Sequence, residues 1–105
     1  MLKRVSLVWK HPNLSDARFR KIWLGEHATL ARKLPGVREY KIDFAIEPPV
    51  GAPSAIATLC FDSKAACEAA FAEPELRAGL MRTRDEFAAR VQILYVEEHT
   101  VIGAR

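Results

Sequence analysis

Residues 37–61, VREYKIDFAIEPPVGAPSAIATLCF, hold two strand-like segments in succession with no helix between them. In the first, Tyr40, Ile42, Phe44 and Ile46 alternate with Glu39, Lys41 and Asp43, a pattern that predicts a strand with one wet face. The second, AIATLCF at 55–61, is apolar on both parities, which a strand tolerates only when both faces are covered. Between them, EPPVGAPS reads as a Pro- and Gly-rich loop, expected to be mobile and to sit near the mouth of any pocket.

Helical periodicity flanks this strand pair on both sides. Upstream, Phe19, Ile22, Trp23, His27, Leu30 and Leu34 recur at helical spacing, with Ser15 as a candidate N-cap and Asp16 suited to the positive end of the helix dipole. Pro35 and Gly36 end that helix. Before it, LKRVSLVWK places Val5, Leu7 and Trp9 on one parity and predicts an opening strand. Downstream, DSKAACEAAFAEPELRAGLMRTRDEFAA is Ala-rich and helical, split near Pro74, because proline fits the first turn of a new helix better than an interior. RVQILYVEEHTVI then supplies a last strand, with a bend or bulge expected near Glu97 and Glu98. The order β-α-β-β-α-β predicts an α+β fold of ferredoxin-like type: a four-stranded antiparallel sheet with its helices on one face.

Composition narrows the function classes. The 105 residues suit one domain, 1–105, with a single core and no staples. Sixteen Lys and Arg against 13 Asp and Glu leave a formal charge of only +3, with the basic residues scattered among acidic ones. No nucleic-acid partner is expected. No apolar run approaches the roughly 18 residues that cross a bilayer, and Lys10 and Pro12 break the N-terminal apolar stretch too early for a signal sequence. No membrane association and a cytoplasmic location with both cysteines reduced are therefore expected. Cys60 and Cys67 show no zinc spacing with histidine, and no phosphate-binding glycine motif occurs, so neither a metal nor a cofactor is indicated.

Two helices cover only one sheet face, yet the last two strands are apolar on both parities. Ile56 and Cys60 oppose Leu59 and Phe61, and Leu94 and Val96 oppose Ile93 and Tyr95. A monomer would leave a broad apolar face wet, so sheet-to-sheet homodimerisation is expected.

The first helix carries the candidate chemistry. At about 100° per residue, Trp23 lies near the middle of the apolar face and His27 about 40° away, close enough to touch. Tyr40 shares a strand face with Ile42 and Phe44, so its phenol is expected beneath a helix. His27 and Tyr40 together form a candidate acid/base pair in an apolar cleft, with Trp23, Phe19 and Phe44 as candidate ligand contacts. The competing reading makes His27 a packed core histidine and Tyr40 a core aromatic with one polar partner. Glu26, at the edge of the stripe, is expected to be solvated or paired with a basic neighbour. Cys67 could face the pocket but has no evident base beside it, Cys60 reads as core, and His11 and His99 read as surface residues.

Phe19, Trp23 and His27 in the spacing F-x-x-x-W-x-x-x-H, followed by Leu34-Pro35-Gly36 and then Tyr40, resemble the EthD family. The resemblance extends over the opening strand and RDEFAARV and is looser in the middle third. It implies a dimeric α+β barrel with a pocket between helices and sheet in each subunit, lined by His27. It implies a protein that binds or transforms an apolar organic molecule in a catabolic or biosynthetic pathway, since similar folds oxidise polyphenols without a cofactor. Lactone methylisomerases of similar fold use a helix histidine and a strand tyrosine. This chain has His27 and Tyr40, but no histidine in the 47–60 region. Three functions stay open: a cofactor-independent oxidoreductase, a lactone or polyketide isomerase or cyclase with His27 as proton shuttle, and a non-enzymatic dimeric ligand-binding module.

Overall fold

The computed structural model describes residues Met1–Arg105. Strand β1 (Leu2–Lys10) leads into helix α1 (Asp16–Ile22), a π-helical turn (Trp23–His27) and helix α2 (Ala28–Ala31). Strands β2 (Glu39–Phe44) and β3 (Ala55–Phe61) follow, then helices α3 (Lys64–Ala70) and α4 (Pro74–Asp85) and strand β4 (Ala88–Glu97). The sheet order is β2-β3-β1-β4 with every neighbouring pair antiparallel, a ferredoxin-like sheet. No helix is long and apolar enough to cross a membrane.

Local chemistry explains the helix boundaries. The Ser15 hydroxyl accepts from the Arg18 amide and Ser63 from the Ala66 amide, so each satisfies an otherwise orphaned donor. Pro74 opens α4 while the Glu73 carboxylate accepts from two first-turn amides, which separates α4 from α3. After α2 the chain turns at Gly36, whose φ of 78° is inexpensive only for glycine.

Two expectations change. The last strand runs without a bend to Glu97, and the bulge lies instead at its start, where the register slips between Trp9 and Lys10 opposite Arg90 and Ala88. The 47–54 loop does not approach the helix-side cavity described below. It folds toward the other sheet face, where Trp9 Nε1 donates to the Gly51 carbonyl at 3.0 Å. Ser54 is tethered at both backbone and hydroxyl: its amide donates to the Val8 carbonyl, and its Oγ accepts from the Lys10 amide.

Strand register assigns every side chain to a face. Leu2, Arg4, Ser6 and Val8 share the helix side with Tyr40, Ile42 and Phe44, with Ala55, Ala57, Leu59 and Phe61, and with Val91, Ile93 and Tyr95. Val5, Leu7, Trp9, Ile56, Leu94 and Val96 occupy the open side, where the last three are 38%, 45% and 36% exposed. The helix side holds two buried clusters. One is aromatic, built on Val8, Phe19, Trp23 and Phe87. The other is largely aliphatic, built on Leu34, Leu59, Phe61, Cys67 and Leu80. Tyr40 packs against both.

Candidate functional site

Walls from both clusters enclose a cavity of about 250 Å³ between sheet and helices. Val8, Trp23, Ala57 and Phe87 come from the aromatic cluster, and Leu34, Leu59 and Leu80 from the aliphatic one. Small side chains at Ser6 and Ala57 on neighbouring strands leave room in its floor. The solvent-exposed members Arg77, Met81 and Ile93 mark its mouth.

The π-helical turn brings His27 to this cavity. Within it Gly25 leaves helical backbone angles, and the Ala28 amide donates to the Trp23 carbonyl five residues back, the wide-turn pattern common at functional sites. The Thr29 hydroxyl donates to the Gly25 carbonyl at 3.1 Å, satisfying an acceptor at the irregularity. Consecutive residues then fasten the turn to α4. On the outside Glu26 accepts from Arg82 at 2.9 Å, an exposed ion pair that lowers the carboxyl pKa through the guanidinium hydrogen bond. On the inside His27 bonds Thr83.

That inner bond couples the tautomer of His27 to the Thr83 hydroxyl. Nδ1 lies 2.7 Å from Thr83 Oγ1, while the same hydroxyl donates to the Gly79 carbonyl at 2.8 Å. Thr83 has one proton: where it goes to that carbonyl, Nδ1 carries the imidazole hydrogen and donates to the Thr83 oxygen, and where it goes to Nδ1 the imidazole hydrogen sits on Nε2. In the first arrangement Nε2 carries the lone pair. Burial and then the Arg84 guanidinium hold the imidazole pKa down at about 4, against a weak opposing pull from the Leu80 carbonyl. His27 is neutral at pH 7. Its ring meets Phe87 edge-on at 5.1 Å, and Phe87 stacks on Trp23 at 4.7 Å.

Tyr40 also lines the cavity but does not pair with His27. Its oxygen accepts from Trp23 Nε1 at 2.9 Å, which leaves its own O–H free to donate. Burial pushes the phenol pKa up, so the hydroxyl keeps its proton. Of the expected ligand contacts, only Trp23 reaches the cavity. Phe19 and Phe44 pack behind it, each edge-on to the indole at 5.6 and 5.8 Å. Hydrophobic spacing alone could not separate cavity wall from the layer supporting it.

The remaining candidates are structural. Cys67 is fully buried in the aliphatic cluster and burial pushes its thiol pKa up, so no thiolate forms. Cys60 is buried. His11 lies 2.9 Å through Nε2 from the Asp85 carbonyl, tying the end of β1 to the end of α4, and His99 is exposed in the C-terminal tail.

Sequence reading missed Thr83 and the cavity arginines Arg4, Arg77 and Arg84. A signal for two of them exists: Arg77, Leu80 and Arg84 follow an i, i+3, i+7 stripe, so both arginines flank a buried leucine. Arg4 alternates with Ser6 and Val8 on the parity opposite Val5 and Leu7, which shows only once the face toward the helices is known.

Comparison with known proteins places this geometry in a family. The EthD domain model matches residues 11–90. The chain is 30% identical over 101 residues to an 11.0 kDa protein from the thcB–thcC intergenic region of Rhodococcus erythropolis, covering 94% of this chain and 97% of that one. Among solved structures, an ethyl tert-butyl ether degradation (EthD) family protein from Bacillus halodurans superposes with a TM-score of 0.74 at 22% identity, covering 94% and 99% of the two chains. A dimeric ferredoxin-like protein from Thermobifida fusca gives 0.70 at 13% identity over 90% and 88%. SnoaB, a cofactor-independent oxygenase from Streptomyces nogalater, gives 0.67 at 14% identity over 98% and 97%. These structural likenesses establish the shared fold.

Proposed function

The chain belongs to the EthD family, and from that premise we propose that it binds a small organic molecule in the helix-side cavity and removes a proton from it through His27 Nε2. The observation that supports this reading is the Thr83 contact, which holds the imidazole at the cavity wall; with the Thr83 proton on the Gly79 carbonyl, the imidazole hydrogen is on Nδ1 and the lone pair on Nε2. A base must present that lone pair to the substrate without first being protonated by solvent, and a neutral histidine does so, although its pKa of about 4 makes it a weak base until a bound group raises it. The Tyr40 O–H supplies a donor to a developing enolate or phenolate oxygen.

Proton removal is the common first step of two chemistries. The resulting carbanion can take a proton back at another atom, which is isomerisation, or add to a carbonyl carbon of the same molecule whose oxygen then takes the proton, which is cyclisation. It can also transfer electrons to dioxygen, the reaction class named for the SnoaB neighbour, with no bound cofactor. The cavity size, just under the roughly 300 Å³ at which drug-sized pockets begin, suits a molecule of one or two rings. Homodimerisation through the open sheet face accompanies this reading, supported by the exposed Ile56, Leu94 and Val96 and by the dimeric ferredoxin-like neighbour.

The test is proton abstraction itself. Enolisable one- and two-ring aromatic ketones are incubated with the protein in D2O, with C–H loss followed by NMR alongside oxygen uptake. The wild type accelerates exchange of at least one probe over buffer, and His27→Phe loses about 100-fold of that rate while still binding the probe. Equal rates for wild type and His27→Phe, or no exchange above buffer with any probe, make the cavity a binding site without base chemistry.

A further inference from the structure

We propose that the molecule this cavity takes is a small aromatic acid, bound as its carboxylate with Arg84 as the principal clasp and Arg4 and Arg77 as supporting cations. This rests on the reading of the cavity as a ligand site, and it replaces an apolar ligand by an amphipathic anion.

The charge balance of the walls carries the argument. Eighteen residues line the cavity and 13 are hydrophobic. The other five are Arg4, Arg77, Arg84, Ser6 and His27, with no carboxylate among them. Elsewhere in the chain Arg38 meets Asp62 and Arg82 meets Glu26, each at 2.9 Å, while Arg18, Arg20, Arg32, Arg90 and Arg105 enter no ion pair. Arg4 and Arg77 enter no ion pair either, and what sets them apart is their place in the wall of an apolar cavity. Arg84 has only its sequence neighbour Asp85 at 3.6 Å, and its Nε is buried with no hydrogen-bond partner. A buried guanidinium N–H without an acceptor is costly, and a planar carboxylate is the group whose two oxygens fit that fork.

The three arginines come from two elements, so sequence proximity does not explain their meeting. Arg4 stands on β1 with its guanidinium 4.3 Å over the Phe71 ring, which holds it against the cavity wall. Arg77 and Arg84 stand seven residues apart on α4, two turns on one face. Three cations around one half-buried space repel one another, and an entering anion relieves that repulsion. In the same cavity the stacked Trp23 and Phe87 rings offer an apolar wall suited to an aromatic body. The same anion would offset the Arg84 field that depresses His27 and so strengthen the base when substrate is present.

The experiment measures binding of matched acid and amide pairs by calorimetry at low salt: benzoate with benzamide, salicylate with salicylamide, 2-naphthoate with 2-naphthamide. In at least one pair the acid binds 30-fold or more tighter than its amide. Arg84→Gln reduces that preference at least fivefold, and Arg77→Gln at the more exposed mouth reduces it less. Thermal melts confirm that both variants are folded. In the acid complex the NMR titration of His27 moves upward from about 4. No acid preference in any pair, including absence of binding to all six probes, overturns the proposal, as does a preference untouched by both substitutions. An acid preference that persists while His27→Phe leaves proton exchange unchanged removes the base and keeps the anion site.

Discussion

The two faces of strand β1 carry opposite chemistry, and in an unexpected sense. Toward the helices, where a ferredoxin-like subunit buries its core, β1 presents Arg4 and Ser6 beside Val8. Toward the open side it presents Val5, Leu7 and Trp9, with Lys3 at the end of the row, alongside the exposed Ile56, Leu94 and Val96 of its neighbours. A monomeric sheet would be expected to do the reverse, because polar groups under helices lose hydration and apolar groups in water gain no burial. The inversion makes sense when each face has a different partner. The helix side encloses a cavity whose polar lining is proposed to meet a ligand, and the open side carries an apolar patch of Val5, Leu7, Ile56, Leu94 and Val96, bordered by Lys3, Thr58, Gln92 and the charged residues of β2, that is proposed to meet a second sheet. The helix side also keeps two fully apolar clusters around that cavity, so the polar residues are a local insertion rather than a failed core.

The comparison breaks most visibly at Trp23, which is 2% exposed, packs against Phe19, Phe44 and Phe87, and donates to Tyr40. Trp23→Ala is expected to cost about 3–5 kcal/mol in urea unfolding without changing subunit mass. On the open side Leu94→Glu is expected to do the opposite: retained secondary structure by circular dichroism, but a mass halved in light scattering at micromolar concentration. That corresponds to about 2–4 kcal/mol of lost association free energy, because a charge replaces apolar contact on the open face. A wild type already monomeric at that concentration would leave the open face without its partner and dissolve the contrast.

Acid titration sharpens the helix-side half. The ordinary histidine value is 6.5 and the folded value of His27 is about 4. Between those values the unfolded chain binds a proton that the folded chain refuses, so stability falls as pH drops through this window and is flat above it. The contribution of His27 between pH 7 and pH 4 is on the order of 2 kcal/mol, allowing for partial solvent access. Carboxylates with lowered pKa values, Asp62 and Glu98 among them, lose stability at still lower pH. The informative quantity is therefore the difference between wild type and His27→Phe, which is expected to vanish above pH 6.5 if the imidazole is a cavity residue rather than a required core contact.

Smaller effects test how the site is held. Thr83→Val keeps shape but removes the acceptor of the Nδ1 hydrogen, at about 1–2 kcal/mol, and 15N spectra should show the proton moving from Nδ1 to Nε2. An unchanged tautomer would mean that Thr83 does not orient the base. Glu26→Gln, on the outer side of the same π-helical turn, breaks an exposed pair with Arg82 and should leave the melting temperature nearly unchanged. A larger loss there would mean that the outer ion pair, not the inner hydrogen bond, secures the turn.

Much of this architecture is local and was therefore legible in the chain. Ser15, Pro35, Gly36 and Pro74 act on their own neighbours, through capping, stopping and opening helices, so element order followed from them. The alternation of residues 39–44 needs only the two-residue repeat of a strand. The four-residue spacing of Phe19, Trp23 and His27 keeps them on one helical side whatever packs against it, and with Tyr40 it carried the family resemblance. The Pro- and Gly-rich composition of residues 47–54 announced a loop, but its position was decided by Trp9 and Ser54 hydrogen bonds from a distant strand. The partner of His27 was equally out of reach, because Thr83 lies 56 residues away and meets it only when α4 packs along the π-helical turn. Arg4 joins Arg77 and Arg84 for the same reason: the order β2-β3-β1-β4 sets β1 in the middle of the sheet, beneath the helices, and its register turns Arg4 rather than Val5 inward. Periodicity dictates which residues share a face. Only the assembled sheet and helices decide what that face meets, since that depends on contacts between segments whose separation along the chain carries no pattern.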